Sequence, residues 1–270
     1  MNLEKIKQRD RWTCRRCGHK FSDLVVLRFG VGYEELDYIT VCTSCFEWTL
    51  SHISEANELF KRSVRQNKII LIGDCHGNFE RLDKILTSEY PFDFFISVGD
   101  IAESSDLAHH NISSIDKWKQ KGYCVRGNHD EVECFTPLEL VQELNGIRIA
   151  SLNGMLKSRN FIKDSTNNIS FREVMYLSHL RDVDMLVTHQ PPSGLFNNIG
   201  EPVLEELLNY LVPRIYVFGH IHKFKWRFHL NTFMISLPLI TKGYAVAYFQ
   251  GKDLRNIEII FKKGKKFIRV

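Results

Sequence analysis

Acidic, amide and imidazole side chains recur in five short motifs, each directly after a hydrophobic stretch. The motifs are Gly73-Asp74-Cys75-His76-Gly77, Gly99-Asp100, Gly127-Asn128-His129-Asp130, Thr188-His189 and Gly219-His220-Ile221-His222. Their Asp, Asn and His side chains offer the oxygen and nitrogen donors that suit Mn, Fe or Zn, and no thiolate is needed. Two such ions roughly 3.5–4 Å apart can hold a phosphate between them and generate a hydroxide near neutral pH. The motifs contain enough ligands for a site of this kind, including carboxylates that could bridge.

The hydrophobic runs before the motifs predict the elements that position these side chains. KIILIGD, FDFFISVGD, YCVRGNHD, GIRIASLNG, DMLVTH and RIYVFGH are typical of buried strands, and three or four further strands follow His222. NFERLDKILTS, SSIDKWKQKG and VLEELLNYL have helical spacing. Strands that alternate with helices and then follow one another indicate a layered α/β domain with a mixed sheet or two stacked sheets. Since ligand sites gather at the carboxyl ends of strands, we expect one shared crevice.

The spacing within two motifs gives a further expectation. Asp74 and His76 are two residues apart, as are His220 and His222, so in an extended chain each pair projects to one side. Simpler explanations exist for each fragment alone, since Gly-Asp pairs are common in turns and a buried Cys75 can simply fill space. His109 and His110 belong to no motif and are expected to be solvated.

The series GDxHG, GDxxE, GNHD, TH and GHxH, in this order, resembles the calcineurin-like metallophosphoesterase family. The resemblance is detailed over residues 68–225 and implies a layered αββα sandwich over residues 67–270. It implies a first metal held by Asp74, His76, Asp100 and His222, and a second held by Asp100 as a bridge with Asn128, His189 and His220. It also implies that His129 contacts the phosphate and protonates the leaving oxygen, and that Glu103 orients His129.

The resemblance implies hydrolysis of a phosphate ester by a metal-bridged hydroxide, with two divalent ions as cofactors, Mn first and Fe or Zn as alternatives. The stretch THQPPSG followed by a helix and VFGHIH is similar to the branch that includes class III cyclic-nucleotide phosphodiesterases. We therefore expect a nucleotide or nucleic-acid phosphodiester as substrate. The alternatives are a phosphomonoesterase acting on protein or small molecules, and a non-catalytic scaffold, which would have no need of His129 and Glu103. Similar ligand sets serve several substrate classes, so the fold alone does not choose among them.

Two Cys-x-x-Cys pairs, Cys14 with Cys17 and Cys42 with Cys45, precede this region. Four thiolates complete a closed tetrahedral zinc site, which predicts a structural Zn in a module of residues 1–66. The second pair opens a helix expected over residues 46–65, the treble-clef arrangement. The stretch also resembles an HNH-endonuclease scaffold, but the run Val25-Val26-Leu27-Arg28 lacks the histidines of that family. The module could simply stabilise the N-terminal region, or it could contact nucleic acid or protein, and the sequence favours neither. The candidate for such a contact is a basic cluster of Arg9, Arg11, Arg15, Arg16 and Lys20.

The overall composition excludes several other classes. The chain has 270 residues, 44% of them hydrophobic and 25% charged, as in a folded globular protein. No apolar run reaches the ~18 residues needed to cross a bilayer, and the charged N-terminus does not resemble a signal peptide. We therefore expect no membrane partner and a cytoplasmic location. The net charge of +4 is too small to indicate nucleic-acid binding, and Lys262, Lys263, Lys265 and Lys266 are interpreted as the solvated edge of a sheet.

Overall fold

The computed structural model describes residues 3–21, 23–28, 38–52, 65–109, 112–156, 168–194, 199–262 and 264–270. The chain divides into two compact units, Met1–Gln66 and Asn67–Val270. Within the described residues, no helix has the length and apolar character needed to span a membrane.

The first unit is built around an antiparallel strand pair and two helices. Its elements are α1 (Leu3–Arg9), β1 (Val25–Arg28), β2 (Tyr38–Val41) and α2 (Thr43–Ser51). Buried Asp10 ties the unit together, because its carboxylate accepts from the Thr40 amide at 2.9 Å and lies 3.1 Å from Arg15 Nε. Helix α2 begins three residues earlier than predicted, with Cys42 at its N-cap, and ends at Ser51. The rest of the predicted helix, residues 53–64, lies outside the described residues.

The second unit contains a seven-stranded sheet. Its strands are β3 Gln66–Ile72, β4 Phe94–Ser97, β5 Gly122–Cys124, β6 Thr136–Pro137, β13 Gly243–Gln250, β14 Asp253–Phe261 and β15 Gly264–Arg269. They lie in the order β15-β14-β13-β3-β4-β5-β6. Strands β3 to β6 are parallel, and β13, β14 and β15 form an antiparallel meander. Lys265 and Lys266 therefore lie on an edge strand, as the sequence predicted.

A second sheet has six strands. They are β7 Val141–Leu144, β8 Ile147–Leu152, β9 Met185–Thr188, β10 Ile215–Phe218, β11 Lys225–His229 and β12 Thr232–Ser236. The order in the sheet is β11-β12-β10-β9-β8-β7. Strands β8, β9, β10 and β12 are parallel, and both edge strands are antiparallel to their neighbours.

Helices cover the outer face of each sheet. The helices are α3 (Phe79–Glu89), α4 (Ser104–His109), a 3₁₀ helix (Ile112–Lys121), α5 (Phe171–Ser178) and α6 (Pro202–Leu211). One apolar cluster lies between the sheets and includes Leu71 and Val217. A second cluster packs α3 and the 3₁₀ helix on the seven-stranded sheet, and a third packs α5 and α6 on the other. The predicted αββα sandwich is confirmed, because strands buried on both faces need helices outside them.

Helix α5 has no counterpart among the predicted elements. It begins at a capping box in which Ser170 Oγ accepts from the Glu173 amide and the Glu173 carboxylate accepts from the Ser170 amide. The predicted helix SSIDKWKQKG is present, but as a 3₁₀ helix.

Candidate metal centre

All five polar motifs lie just beyond the carboxyl ends of parallel strands. Asp74, Asp100 and Asn128 follow β3, β4 and β5 of one sheet. His189 follows β9 and His220 follows β10 of the other sheet. Because the sheets stack face to face, their strand ends bring these side chains together, as expected for a crevice at the carboxyl edge.

The first group of converging side chains consists of Asp74, His76, Asp100 and His222, whose ligand atoms all lie within 4.8 Å of one another. His222 Nε2 is 2.8 Å from Asp74 Oδ2 and 3.4 Å from His76 Nε2. Asp74 Oδ2 is buried, and the contact with His222 Nε2 lacks hydrogen-bond geometry, so this oxygen has no hydrogen-bond donor among the described residues. A buried carboxylate oxygen without a donor is costly unless a cation binds it, so this group fits a divalent ion.

The second group consists of Asp100, His189 and His220, joined by Asn128. His189 Nε2 lies 3.3 Å from Asp100 Oδ2, 3.2 Å from Asn128 Oδ1 and 3.2 Å from His220 Nδ1. His189 Nδ1 is 2.8 Å from the Val98 carbonyl oxygen, which fixes its proton on that side. The Nε2 atom can carry only one proton, which can be donated to one of its three neighbouring acceptors. A single cation, by contrast, could bind all of these atoms.

The pKa values in the site follow from burial and from neighbouring charges. Burial raises the pKa of Asp74 to about 7. Burial acts in the same direction on Asp100, but the hydrogen bond and charge of His189 outweigh it and hold the pKa of Asp100 at about 2. Burial and the neighbouring imidazole of His189 both lower the pKa of His220, which favours the neutral ring that binds metals. Asp100 belongs to both groups and is the ionised carboxylate between them.

Backbone strain coincides with these residues. Left-handed φ angles occur at His76 (42°), Asp100 (50°), His220 (69°) and His222 (51°). Such conformations cost on the order of 1–3 kcal/mol each for non-glycine residues and persist where the surroundings impose them. The expectation that His220 and His222 project to one side of an extended chain is wrong. The chain turns at both residues, and they lie in different groups.

Two motif glycines provide space for the carboxylates. A Cβ atom on Gly127 would lie 2.0 Å from Asp100 Oδ1, and one on Gly219 would lie 2.4 Å from Asp74 Oδ1. Both distances are far shorter than a van der Waals contact, so any side chain at either position would displace an acidic group of the site.

Asp130 organises the loop that carries Asp100, a role that the sequence reasoning missed. Its Oδ2 accepts from the Asp100 amide at 2.9 Å and the Gly127 amide at 2.7 Å, and its Oδ1 accepts from the Ile101 amide at 2.5 Å. The signal for this role was available, since an acidic residue ends the GNHD motif and could accept from the amides of the neighbouring Gly-Asp turn.

His129 and Glu103 form a pair beside the first group. His129 Nδ1 lies 2.5 Å from Glu103 Oε1, and the His129 amide donates to Asp100 Oδ1 at 2.9 Å. The His129 ring lies 5.8 Å from the His76 ring, between centroids, and its side chain is half exposed. The imidazole is therefore open to solvent, and the Glu103 carboxylate is placed to accept a hydrogen bond from its Nδ1.

The four paired cysteines of the first unit form a separate cluster. Their sulfur atoms all lie within 4.8 Å of one another, and none of them is in a disulfide. Arg16 Nη1 lies 3.6 Å from Cys45 Sγ and its guanidinium stacks on Trp48 at 3.9 Å. Four free thiols at this separation fit a tetrahedral zinc ion. Cys75, Cys124 and Cys134 are free and buried elsewhere, as expected for space-filling residues.

The sequence model of the calcineurin-like phosphoesterase family matches residues 67–224, which contain all five polar motifs. The match covers more than half of the chain, so the chain belongs to the calcineurin-like phosphoesterase family. Membership of this family implies a dimetal catalytic site.

Individual relatives agree with this family. The chain is 24% identical to the lariat debranching enzyme of Schizosaccharomyces pombe, and the match covers 59% of this chain and 49% of that protein. The chain thus spans about half the length of this curated relative. A dimetal phosphatase from Danio rerio aligns with a TM-score of 0.55 and 10% identity over 75% of this chain and 98% of its own. A protein from Thermus thermophilus aligns with a TM-score of 0.54 and 13% identity over 71% and 98%. These two structures share the fold.

Proposed function

We propose that residues 67–270 hydrolyse a phosphodiester of a nucleotide or nucleic acid at a centre of two divalent ions. Asp74, His76, Asp100 and His222 would hold one ion, and Asp100, Asn128, His189 and His220 the other. The observation that carries this proposal is that the first and second groups of converging side chains share Asp100. When bound, the two ions would neutralise the charge of the substrate phosphate and activate the attacking water. Mn²⁺ is the first candidate, because the donors are carboxylate, amide and imidazole.

In this proposal His129 acts as the general acid. Glu103 accepts the Nδ1 proton, so a proton delivered to the leaving oxygen would come from Nε2. The amide contact between His129 and Asp100 ties the acid to the bridging carboxylate, which keeps the two groups in a fixed relation. Asp130 binds the amide of Asp100 directly and lies next to His129 in a loop whose Gly127 amide it also binds.

The phosphodiester preference rests on the relative named a lariat debranching enzyme and on the resemblance of THQPPSG to the cyclic-nucleotide phosphodiesterase branch. In the first unit, Cys14, Cys17, Cys42 and Cys45 would hold a structural zinc ion. That unit has no further acidic and imidazole cluster among its described residues, so we assign it no hydrolytic chemistry.

The test compares His129→Ala with wild type on a p-nitrophenyl diester and on an alkyl diester, in the presence of Mn²⁺. General acid catalysis typically contributes ~10²–10⁴-fold, so kcat on the alkyl ester should fall by about that factor. The loss should shrink on the p-nitrophenyl ester, whose leaving group needs little protonation, and metal content should not change. Wild-type turnover of the alkyl ester by the variant would contradict the assigned acid. A preference for p-nitrophenyl phosphate over the diesters would favour a phosphomonoesterase.

A further inference from the structure

An open cleft of ≈ 410 Å³ begins at His222, a member of the first acceptor group. Its other lining residues are Lys223, Phe224, Lys225, Pro238, Lys242 and Phe261. The lining holds three lysines, and none of these described lining residues is acidic. The cleft is therefore positively charged, partly aromatic and continuous with the candidate metal centre.

Aromatic side chains extend this cleft along the edge strand β11. The Phe224 and Phe261 rings lie 5.1 Å apart, between centroids. Trp226 and Phe228 follow on β11, and both contact the buried ring of Phe233, at 5.7 Å and 5.3 Å. Phe228 is 51% exposed and Trp226 is 36% exposed, although each is a large apolar group. A row of aromatic rings that stay exposed beside a catalytic site indicates a binding surface, because exposed rings add little to the packing of the core.

The neighbouring sheet contributes positive charge beside the aromatic row of Phe224, Trp226 and Phe228. Lys266 on β15 places its ammonium 5.0 Å from the Trp226 ring centroid, so the edges of the two sheets meet at this point. Lys262 and Lys266 are exposed, whereas Glu258 lies 3.4 Å from Lys265 and compensates its charge. Edge protection explains lysines on β15. It does not explain the exposed rings of Trp226 and Phe228 on β11.

We propose that this surface, from His222 to Trp226 and Lys266, binds single-stranded nucleic acid next to the phosphate that is hydrolysed. The inference rests on the proposed phosphodiester hydrolysis. Lysines that track a phosphate backbone and aromatic rings that stack on bases are the combination used for single strands. An acidic protein segment would satisfy the lysines but would gain nothing from the aromatic platform. The substrate is accordingly a polynucleotide, since a mononucleotide in the metal centre would leave Trp226 and Lys266 without a contact.

The test measures binding of a fluorescent single-stranded oligonucleotide of about 12 nucleotides, in RNA and DNA forms, by anisotropy. Every protein compared carries Asp100→Asn in the full chain, so that hydrolysis does not disturb the measurement. Trp226→Ala should weaken binding roughly 5- to 100-fold, the usual effect of losing one stacked base, and Trp226→Phe should weaken it less. Log affinity should fall with log salt less steeply in Lys266→Glu, by about 0.7 in the slope, because one phosphate contact is lost. Tyr176→Ala and Lys119→Glu, exposed positions on the outer helical layers, are the matched controls and should bind like the parent.

A parallel assay separates this inference from the proposed function. In the otherwise wild-type chain, Trp226→Ala and Lys266→Glu should reduce hydrolysis of the oligonucleotide more than hydrolysis of bis(p-nitrophenyl) phosphate, because neither residue belongs to the metal centre. Unchanged oligonucleotide affinity in both variants would overturn the inference and leave the proposed hydrolysis standing. Conversely, a wild-type chain that binds the oligonucleotide but hydrolyses no diester would fail the proposed function while the surface assignment held. Binding of poly-glutamate with no binding of either oligonucleotide would identify a protein-docking face and overturn the inference.

Discussion

Replacement of Asp130 by asparagine tests whether this buried carboxylate organises the site. Oδ2 accepts from the amides of Asp100 and Gly127, and Oδ1 accepts from the amides of Ile101 and Ala102 at 2.5 Å and 3.3 Å. Asparagine can keep one oxygen in place, but its NH₂ group would face the other two amides. Asp130→Asn therefore leaves two buried donors without an acceptor, although the residue belongs to neither acceptor group.

The magnitude follows from those two amides. A buried donor left without its partner costs about 1–3 kcal/mol, so the variant should lose roughly 2–6 kcal/mol of unfolding free energy. For a unit of this size, each kcal/mol corresponds to about 2–4 °C, so Tm should fall on the order of 5–20 °C. Burial raises the pKa of Asp130 above its value in the unfolded chain, so the wild-type protein loses stability as pH rises through these two pKa values. Asparagine does not titrate, so the difference between the two proteins should be largest in acid and become smaller as pH rises.

Thermal unfolding of the wild type, Asp130→Asn and a control variant measures the expected fall in Tm. Asp116→Asn is a suitable control, because Asp116 is exposed on the 3₁₀ helix, where it pairs with the exposed Lys119. The control should unfold close to the wild-type temperature, since an exposed ion pair of this kind contributes little. Metal titration of Asp130→Asn should also show weaker binding, since the loop that carries Asp100 would shift. A variant with wild-type Tm and wild-type metal affinity would refute the assignment of Asp130 as the residue that positions this loop.

Three further outcomes follow from the structure. Without metal, the unfolding free energy should fall as pH rises from about 4 to about 7, because unfolded Asp74 ionises near 3.9 while the folded carboxyl keeps its proton up to a pKa of about 7. The change is at most roughly 4 kcal/mol, and denaturant titrations should show it disappear in Asp74→Asn. Gly127→Ala should lose metal affinity, measured by calorimetry, because its Cβ would lie 2.0 Å from Asp100 Oδ1. Cys14→Ser should lose one zinc by elemental analysis while Cys134→Ala keeps it, and equal zinc content would contradict the four-cysteine site.

The fold was largely predictable because its strands are hydrophobic on both faces. Runs such as KIILIGD and RIYVFGH have the composition of buried parallel strands, and each is followed by a polar motif. The order of these motifs identified the family and the αββα layers. Helix α5 was missed although the signals for it were present, since its buried residues Val174 and Leu177 have helical spacing and a capping box begins at Ser170.

The structure brings together the residues that the motifs indicated, in an arrangement that spacing did not predict. Spacing alone suggested one side for His220 and His222, and only the family resemblance placed them with different metals, because left-handed backbone at non-glycine residues depends on tertiary packing. It also could not reveal the surface around Trp226 and Lys266, since the two residues lie on edge strands of different sheets and meet only in the fold. The assignment of the individual ligands and of His129 stays a prediction until the variants are measured.

The central claim is that two acceptor clusters form one centre with Asp100 between them. Electron paramagnetic resonance of the chain loaded with Mn²⁺ tests it most directly, because two ions that share a bridging carboxylate are magnetically coupled. We expect the spectrum of a coupled pair of ions in the wild type and the loss of this spectrum in Asp100→Asn. A spectrum of isolated ions at every loading of the wild-type protein would contradict it.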